Sequence, residues 1–129
     1  MPIRIVIVDD DAGFRDAMRS VLAPRLEVEI VGEADSGEAA LRLTAEVRPH
    51  VVLTDLAMPH MNGVELARRV KANWPGIHVV IVTVHEEDAY RRTAAAAGAD
   101  AFLLKKRLGV DLWPTLVQLA GDSESKPVR

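Results

Sequence analysis

The feature that most constrains this chain is a strict alternation of short apolar runs with segments of helical period. Residues 3–8 (Ile-Arg-Ile-Val-Ile-Val) are β-branched and almost continuously apolar, as in a strand covered on both faces. Phe14, Ala17, Met18, Val21 and Leu22 then recur at helical spacing. The exchange repeats, with further strands expected over residues 28–31, 51–53, 79–82 and 101–104. The second helix is capped by Ser36, carries Ala39, Ala40, Leu43 and Val47 on one face and stops at Pro49. The third runs through Val64, Leu66, Ala67 and Val70 and closes in the Trp74-Pro75-Gly76 turn. The fourth is expected over 86–97 with Gly98 as its C-terminal cap. The last is expected over 112–120, with Pro114 in its first turn and Gly121 at its end. Alternation of this kind requires crossover connections, and therefore a parallel α/β sheet with helices on both faces.

With 129 residues, 49% of them hydrophobic, the chain has material for one core and no second domain of any size. Residues 122–129 are polar and lack apolar period, so the domain is read as 1–121 and the remainder as a tail or the start of a linker. The formal net charge is −3, so no basic surplus advertises direct nucleic acid binding or an anionic membrane. There is no cysteine, which excludes disulfides, thiolate metal sites and cysteine nucleophiles. The opening residues lack a signal-peptide pattern, and no apolar stretch approaches the roughly 20 residues of a membrane helix. A cytoplasmic protein is expected.

Parallel sheets of this class bind ligands at the carboxyl ends of their strands. There the first strand runs into Asp9, Asp10 and Asp11, the third into Thr54 and Asp55, the fourth into Thr83 and the fifth into Lys105 and Lys106. Clustered carboxylates repel one another, and a hard divalent cation such as Mg²⁺ resolves the repulsion while leaving positions for water and phosphate oxygens. A lysine and a threonine beside them complete a phosphate-binding group: the ammonium offsets charge and the hydroxyl donates a hydrogen bond. The set points to phosphoryl transfer onto a carboxylate.

Four segments carry a resemblance to the receiver domains of two-component response regulators. They are the opening strand with Asp9-Asp10, the run from Val51 through Asp55 to Met58-Pro59 and Gly63, the Val82-Thr83-Val84-His85 segment, and the run from Gly98 to Lys105. The resemblance covers Ile3 to about Ala120. It implies a flavodoxin-like (CheY-like) doubly wound five-stranded parallel sheet, strand order 2-1-3-4-5. It implies that Asp55 is the phosphoacceptor, that Asp9, Asp10, Asp55 and the Ala57 carbonyl hold Mg²⁺, and that Thr83 and Lys105 bind phosphoryl oxygens. Thr83 and Phe102 would form the switch pair, and Ala57 and His85 the positions that tune phosphoryl lifetime. Lys106 stands where the wider family often has proline. With His85 and Tyr90, that variant resembles receivers of the NarL/LuxR type, whose output is a helix-turn-helix DNA-binding domain. A histidine kinase as phosphoryl donor, dimerisation on phosphorylation and transcriptional output follow as expectations, with a stand-alone receiver acting through protein contacts as the alternative.

Other readings fit less well. No Asp-x-Asp pair surrounds Asp55, as an aspartyl-phosphate phosphatase of the haloacid dehalogenase type would need, and acids replace the phosphate-cradling loop of a flavin binder. Asp11 is read as a cap of the first helix, Lys106 as a surface residue, and His50, His60 and His78 as surface or packing residues. Trp74 and Trp113 are read as packing anchors. On a strand, adjacent side chains point to opposite sides, so Lys105 rather than Lys106 is expected to reach the rim.

Overall fold

A computed structural model describes residues 2–125. Five strands, β1 (Ile3–Val8), β2 (Val28–Ala34), β3 (Val51–Asp55), β4 (His78–Thr83) and β5 (Ala101–Leu104), alternate with five helices, α1 (Ala12–Leu22), α2 (Gly37–Val47), α3 (Gly63–Asn73), α4 (Asp88–Ala96) and α5 (Leu108–Ser125). The sheet is parallel throughout, in the order β2-β1-β3-β4-β5.

The apolar strands are apolar because both faces are covered. Val6, Val8, Val52, Val79 and Ile81 face α2, α3 and α4, packing on Ala40, Leu66, Ala67, Val70 and Ala94. Their neighbours in sequence, Ile5, Ile7, Val51, Leu53, Val80 and Val82, face Met18 and Leu22 of α1 and Leu108, Leu112 and Leu116 of α5. β1 and β3 are central, so their carboxyl ends lie in the middle of one rim, where strand order reverses and ligand sites form.

Local signals place the helix ends. The Asp11 carboxylate accepts from the Gly13 amide at 2.9 Å, the Ser36 hydroxyl from Ala39 and the Asn62 side chain from Glu65. α2 ends at Arg48 in the left-handed region, just before Pro49. α4 ends in a Schellman turn: Gly98 has φ +98, its amide donates to the Ala95 carbonyl, and the Ala99 amide donates to Ala94. Trp74 and Trp113 pack against the two cores, each under an arginine (Arg48 and Arg25).

Several expected boundaries differ. β2 continues to Ala34 past a register shift opposite Ile5 and Val6, and α4 starts at Asp88 rather than residue 86. α5 starts four residues early and passes Gly121. Pro114 is thus well inside the helix, not in its first turn. It lies on the exposed face with Val110, where water can serve the carbonyl that a proline cannot. Leu108, Leu112, Leu116 and Leu119 are buried along the other side and outweigh that loss. α5 takes in residues 122–125, and 126–129, the rest of the expected tail, lie outside the described residues. Lys105–Arg107 form a single 3₁₀ turn between β5 and α5, so the two lysines are not on a strand.

Candidate functional site

The acids at the end of β1 and the acid at the end of β3 meet because those strands pair, Val8 beside Thr54. Asp9 is fully buried, Asp55 nearly so, and Asp10 is exposed. Each places a carboxylate oxygen within 4.8 Å of the other two. The Asp9 carboxylate is tied back by the Asp11 amide at 2.9 Å, and its carbonyl accepts from the Arg15 guanidinium at 2.6 Å. Arg15 is itself held by Glu33 of β2.

Lys105 reaches into the cluster from the 3₁₀ turn. Its Nζ lies 3.2 Å from Asp9 Oδ2 and 3.3 Å from Asp55 Oδ1, and 4.1 Å from the centre of the Phe14 ring. Lys106 turns away and pairs with Glu86 at 2.9 Å on the surface. The two lysines part as anticipated, but through the twist of a 3₁₀ turn and not through strand alternation.

One cation between two buried carboxylates leaves each half-compensated. Burial, and next the Asp9 charge, push the Asp55 carboxyl above its ordinary range; Lys105 and the Leu56 amide pull it back only in part. Burial works against the Lys105 ammonium, yet Asp55 and Asp9 together hold its pKa above the ordinary lysine value. Lys105 gains two anions, whereas Asp55 gains one cation that it shares with Asp9 and that its burial outweighs. Three clustered carboxylates with uncompensated negative charge fit a hard divalent ion that takes oxygen ligands.

The loop after β3 folds back over the site. The Gly63 amide donates to the Leu56 carbonyl at 2.8 Å, and a Cβ on Gly63 would stand 2.3 Å from the Asp55 carbonyl oxygen. Only glycine allows that approach. Met58 and Met61 of this loop are buried in the core, and Ala57 is exposed at the rim.

Thr83 ends β4, is almost fully buried, and accepts the His85 amide on its hydroxyl at 3.1 Å. Phe102 of β5 is buried against the α4 side of the core. Arg91 of α4 lies over its ring at 4.8 Å and donates to its carbonyl at 3.3 Å. An open cleft beside Thr83 is lined by Thr83, Val84, Leu104 and Lys106. His85 is not the isolated imidazole its sequence position implies. It is half-buried, its ring is 4.8 Å from that of Tyr90, and its Nδ1 is 3.9 Å from Glu87. His50 and His60 are surface residues. His78 is half-buried beside Asp100.

A family model, the response regulator receiver domain, matches residues 5–112. The chain belongs to that family. The transcriptional regulatory protein DegU of Brevibacillus brevis is 36% identical over 104 residues, which are 81% of this chain and 44% of that protein. Among solved structures, the signal receiver domain of the response regulator NarL from Mycobacterium tuberculosis superposes with a TM-score of 0.85 at 31% identity, covering 97% of this chain and 98% of that one. A LuxR-family DNA-binding response regulator from Staphylococcus aureus gives 0.84 at 30% identity, covering 91% and 98%. This receiver is thus of the NarL/LuxR type, and it spans about half the length of the curated relatives it matches.

Sequence reasoning brought Asp9, Asp10, Asp55, Thr83 and Lys105 to this rim. It passed over Phe14 and Arg15, which read as ordinary members of an amphipathic helix, and Arg91, whose place over Phe102 depends on tertiary packing.

Proposed function

We propose that this receiver accepts a phosphoryl group on Asp55 from the phosphohistidine of a histidine kinase and passes the event on by repacking around Thr83 and Phe102. The observation that carries this reading is the Lys105 ammonium seated between Asp9 and Asp55, at 3.2 and 3.3 Å, on the rim where the strand order reverses. A carboxylate oxygen of Asp55 attacks phosphorus; the P–O bond forms as the P–N bond breaks, and the electron pair leaves with the imidazole. Lys105 is within a short pivot of the oxygens so added and offsets their charge. The Thr83 hydroxyl accepts from the His85 amide and keeps its own hydrogen to donate to the same oxygens.

Asp9, Asp10, Asp55 and the Ala57 carbonyl would hold Mg²⁺, which when bound neutralises charge on the phosphoryl oxygens. Drawing Thr83 toward the phosphoryl group opens room for Phe102 beside the cleft at Val84 and Leu104, at the cost of its stacking with Arg91. The face built from α4, β5 and α5 is then the surface that changes, and dimerisation and control of a DNA-binding output domain follow from it. A cytoplasmic setting suits a kinase-driven, cysteine-free switch; among the described residues no helix is long and apolar enough to cross a membrane.

Loss of the phosphoryl group is the attack of water on phosphorus with cleavage of the P–O bond, which regenerates the Asp55 carboxylate and releases phosphate. Ala57 and His85 flank that path. Ala57 offers no group to orient water, and the His85 ring, braced by Tyr90, shields the approach.

The test is incubation with beryllofluoride, with and without Mg²⁺, followed by amide exchange. Altered exchange near Asp55 and across residues 84–105, only with Mg²⁺, is expected. A change confined to the surroundings of Asp55 would refute the switch.

A further inference from the structure

Phe14 has no part in the chemistry above, yet its ring touches the key ammonium alongside Asp9 and Asp55. It is the third residue of α1, and its position is set by the turn that builds the acidic pocket. The Phe14 amide donates to the Asp11 carbonyl at 3.1 Å, while the Asp11 amide donates to Asp9 Oδ1 at 2.9 Å. One turn of chain therefore fixes both an acid and a ring around the same cation. Lys105 Nζ lies 4.1 Å from the ring centroid, inside the range in which an aromatic face attracts a cation, and the lysine side chain is only 18% exposed.

The ring does something the carboxylates cannot. Asp9 and Asp55 attract the ammonium through directed hydrogen bonds, and alone they would seat it in the gap between them. A π face attracts without lone pairs or a preferred hydrogen-bond direction, so the ammonium can turn on it while remaining held. It also excludes water from one side of the charge, which strengthens each remaining electrostatic contact.

Building on the reading of Asp55 as phosphoacceptor, we propose that Phe14 is a positioning residue for phosphoryl transfer, its ring face holding the Lys105 ammonium over the site so that it turns from Asp9 and Asp55 to the phosphoryl oxygens. The ring also packs against the α1–α5 side of the core, so the experiment must separate electrostatics from bulk.

The variants are Phe14→Leu and Phe14→Met, which keep an apolar side chain, and Phe14→Tyr, which keeps a π face. The rate of phosphorylation of Asp55 by acetyl phosphate is followed by intact mass in wild-type and Lys105→Met backgrounds, with urea denaturation to confirm folding. Phe14→Leu and Phe14→Met should slow the reaction about 3- to 30-fold, the span of a cation–π contact from exposed to desolvated, and Phe14→Tyr should restore it. In the Lys105→Met background the Leu substitution should have almost no effect, because the coupling lies in the pair. Equal slowing in both backgrounds would overturn the proposal in favour of packing, and so would a Phe14→Leu rate equal to wild type. A second arm needs no metal and no turnover: the Lys105 ε-methylene protons should be shifted upfield by the ring, and Phe14→Leu should abolish that shift. Wild-type protein that takes up no phosphoryl group would refute the reading of Asp55 as acceptor. Unshifted Lys105 ε-methylene protons would overturn the ring's hold on the ammonium separately.

Discussion

Replacing Lys105 by methionine should destabilise the metal-free protein by about 3–5 kcal/mol at neutral pH, the cost of leaving a buried charge uncompensated. The ammonium is 3.2 Å from Asp9 Oδ2 and 3.3 Å from Asp55 Oδ1, and Asp9 has no solvent exposure at all. Each contact is worth about 5 kcal/mol at an effective dielectric constant near 20. Desolvation of the ammonium offsets several kcal/mol of that, since its side chain is only 18% exposed. The pH dependence carries the sign. Lys105 pulls the Asp55 pKa down, so its removal lifts further a carboxyl already above its ordinary value. An acid whose folded pKa exceeds its unfolded value contributes no penalty below the unfolded value, about 3.9; the penalty builds as pH rises above that and is complete once pH passes the folded value. The gap between wild type and variant should thus be small near pH 4 and widen as pH rises toward neutrality. At the alkaline end the Lys105 contribution, present below the unfolded value of about 10.4, is lost as pH rises through its raised folded value, and the gap should close again. Urea denaturation followed by tryptophan fluorescence in the presence of a chelator measures this. A loss under about 0.5 kcal/mol, or one independent of pH between 4 and 8, would refute the electrostatic reasoning.

Three further outcomes follow. Asp55→Asn should raise the melting temperature of the metal-free protein by a few degrees, because it removes the charge whose burial raises the Asp55 pKa, and should abolish stabilisation by Mg²⁺; thermal melts with and without the ion decide it. Gly63→Ala should cost about 1–3 kcal/mol in chemical denaturation, because its Cβ would stand 2.3 Å from the Asp55 carbonyl; a neutral result would mean the loop moves freely. The double variant Ala57→Asn with His85→Glu should lose its phosphoryl group faster than wild type in a decay measurement, and an unchanged rate would leave His85 without a shielding role.

How much was legible in the sequence depends on whether a feature is local. The strands were read from β-branched runs because burial on both faces leaves no polar positions to obscure them. The Asp11 and Ser36 caps and the Gly98 turn were legible because each is set by a residue's own hydrogen bonding or backbone freedom. The start of α5 was not, because Lys105, Lys106 and Arg107 carry no apolar period, and Pro114 drew the expected first turn to itself. The stripe of Leu108, Leu112, Leu116 and Leu119 held the better signal. In the site, residues that mark the family by type were found. Arg91, which acts by where packing puts it over Phe102, was not, since no spacing rule brings that pair together.

The most direct test of Asp55 as the phosphoacceptor is chemical trapping. After acetyl phosphate treatment in Mg²⁺, borohydride reduction converts an acyl phosphate on an aspartate to homoserine, and peptide mass spectrometry locates it. Homoserine at position 55, dependent on Mg²⁺ and absent at Asp9 and Asp10, is the predicted result. Homoserine at Asp9 or Asp10, or Mg²⁺-dependent phosphoryl uptake that persists in Asp55→Asn at the wild-type rate, would contradict it.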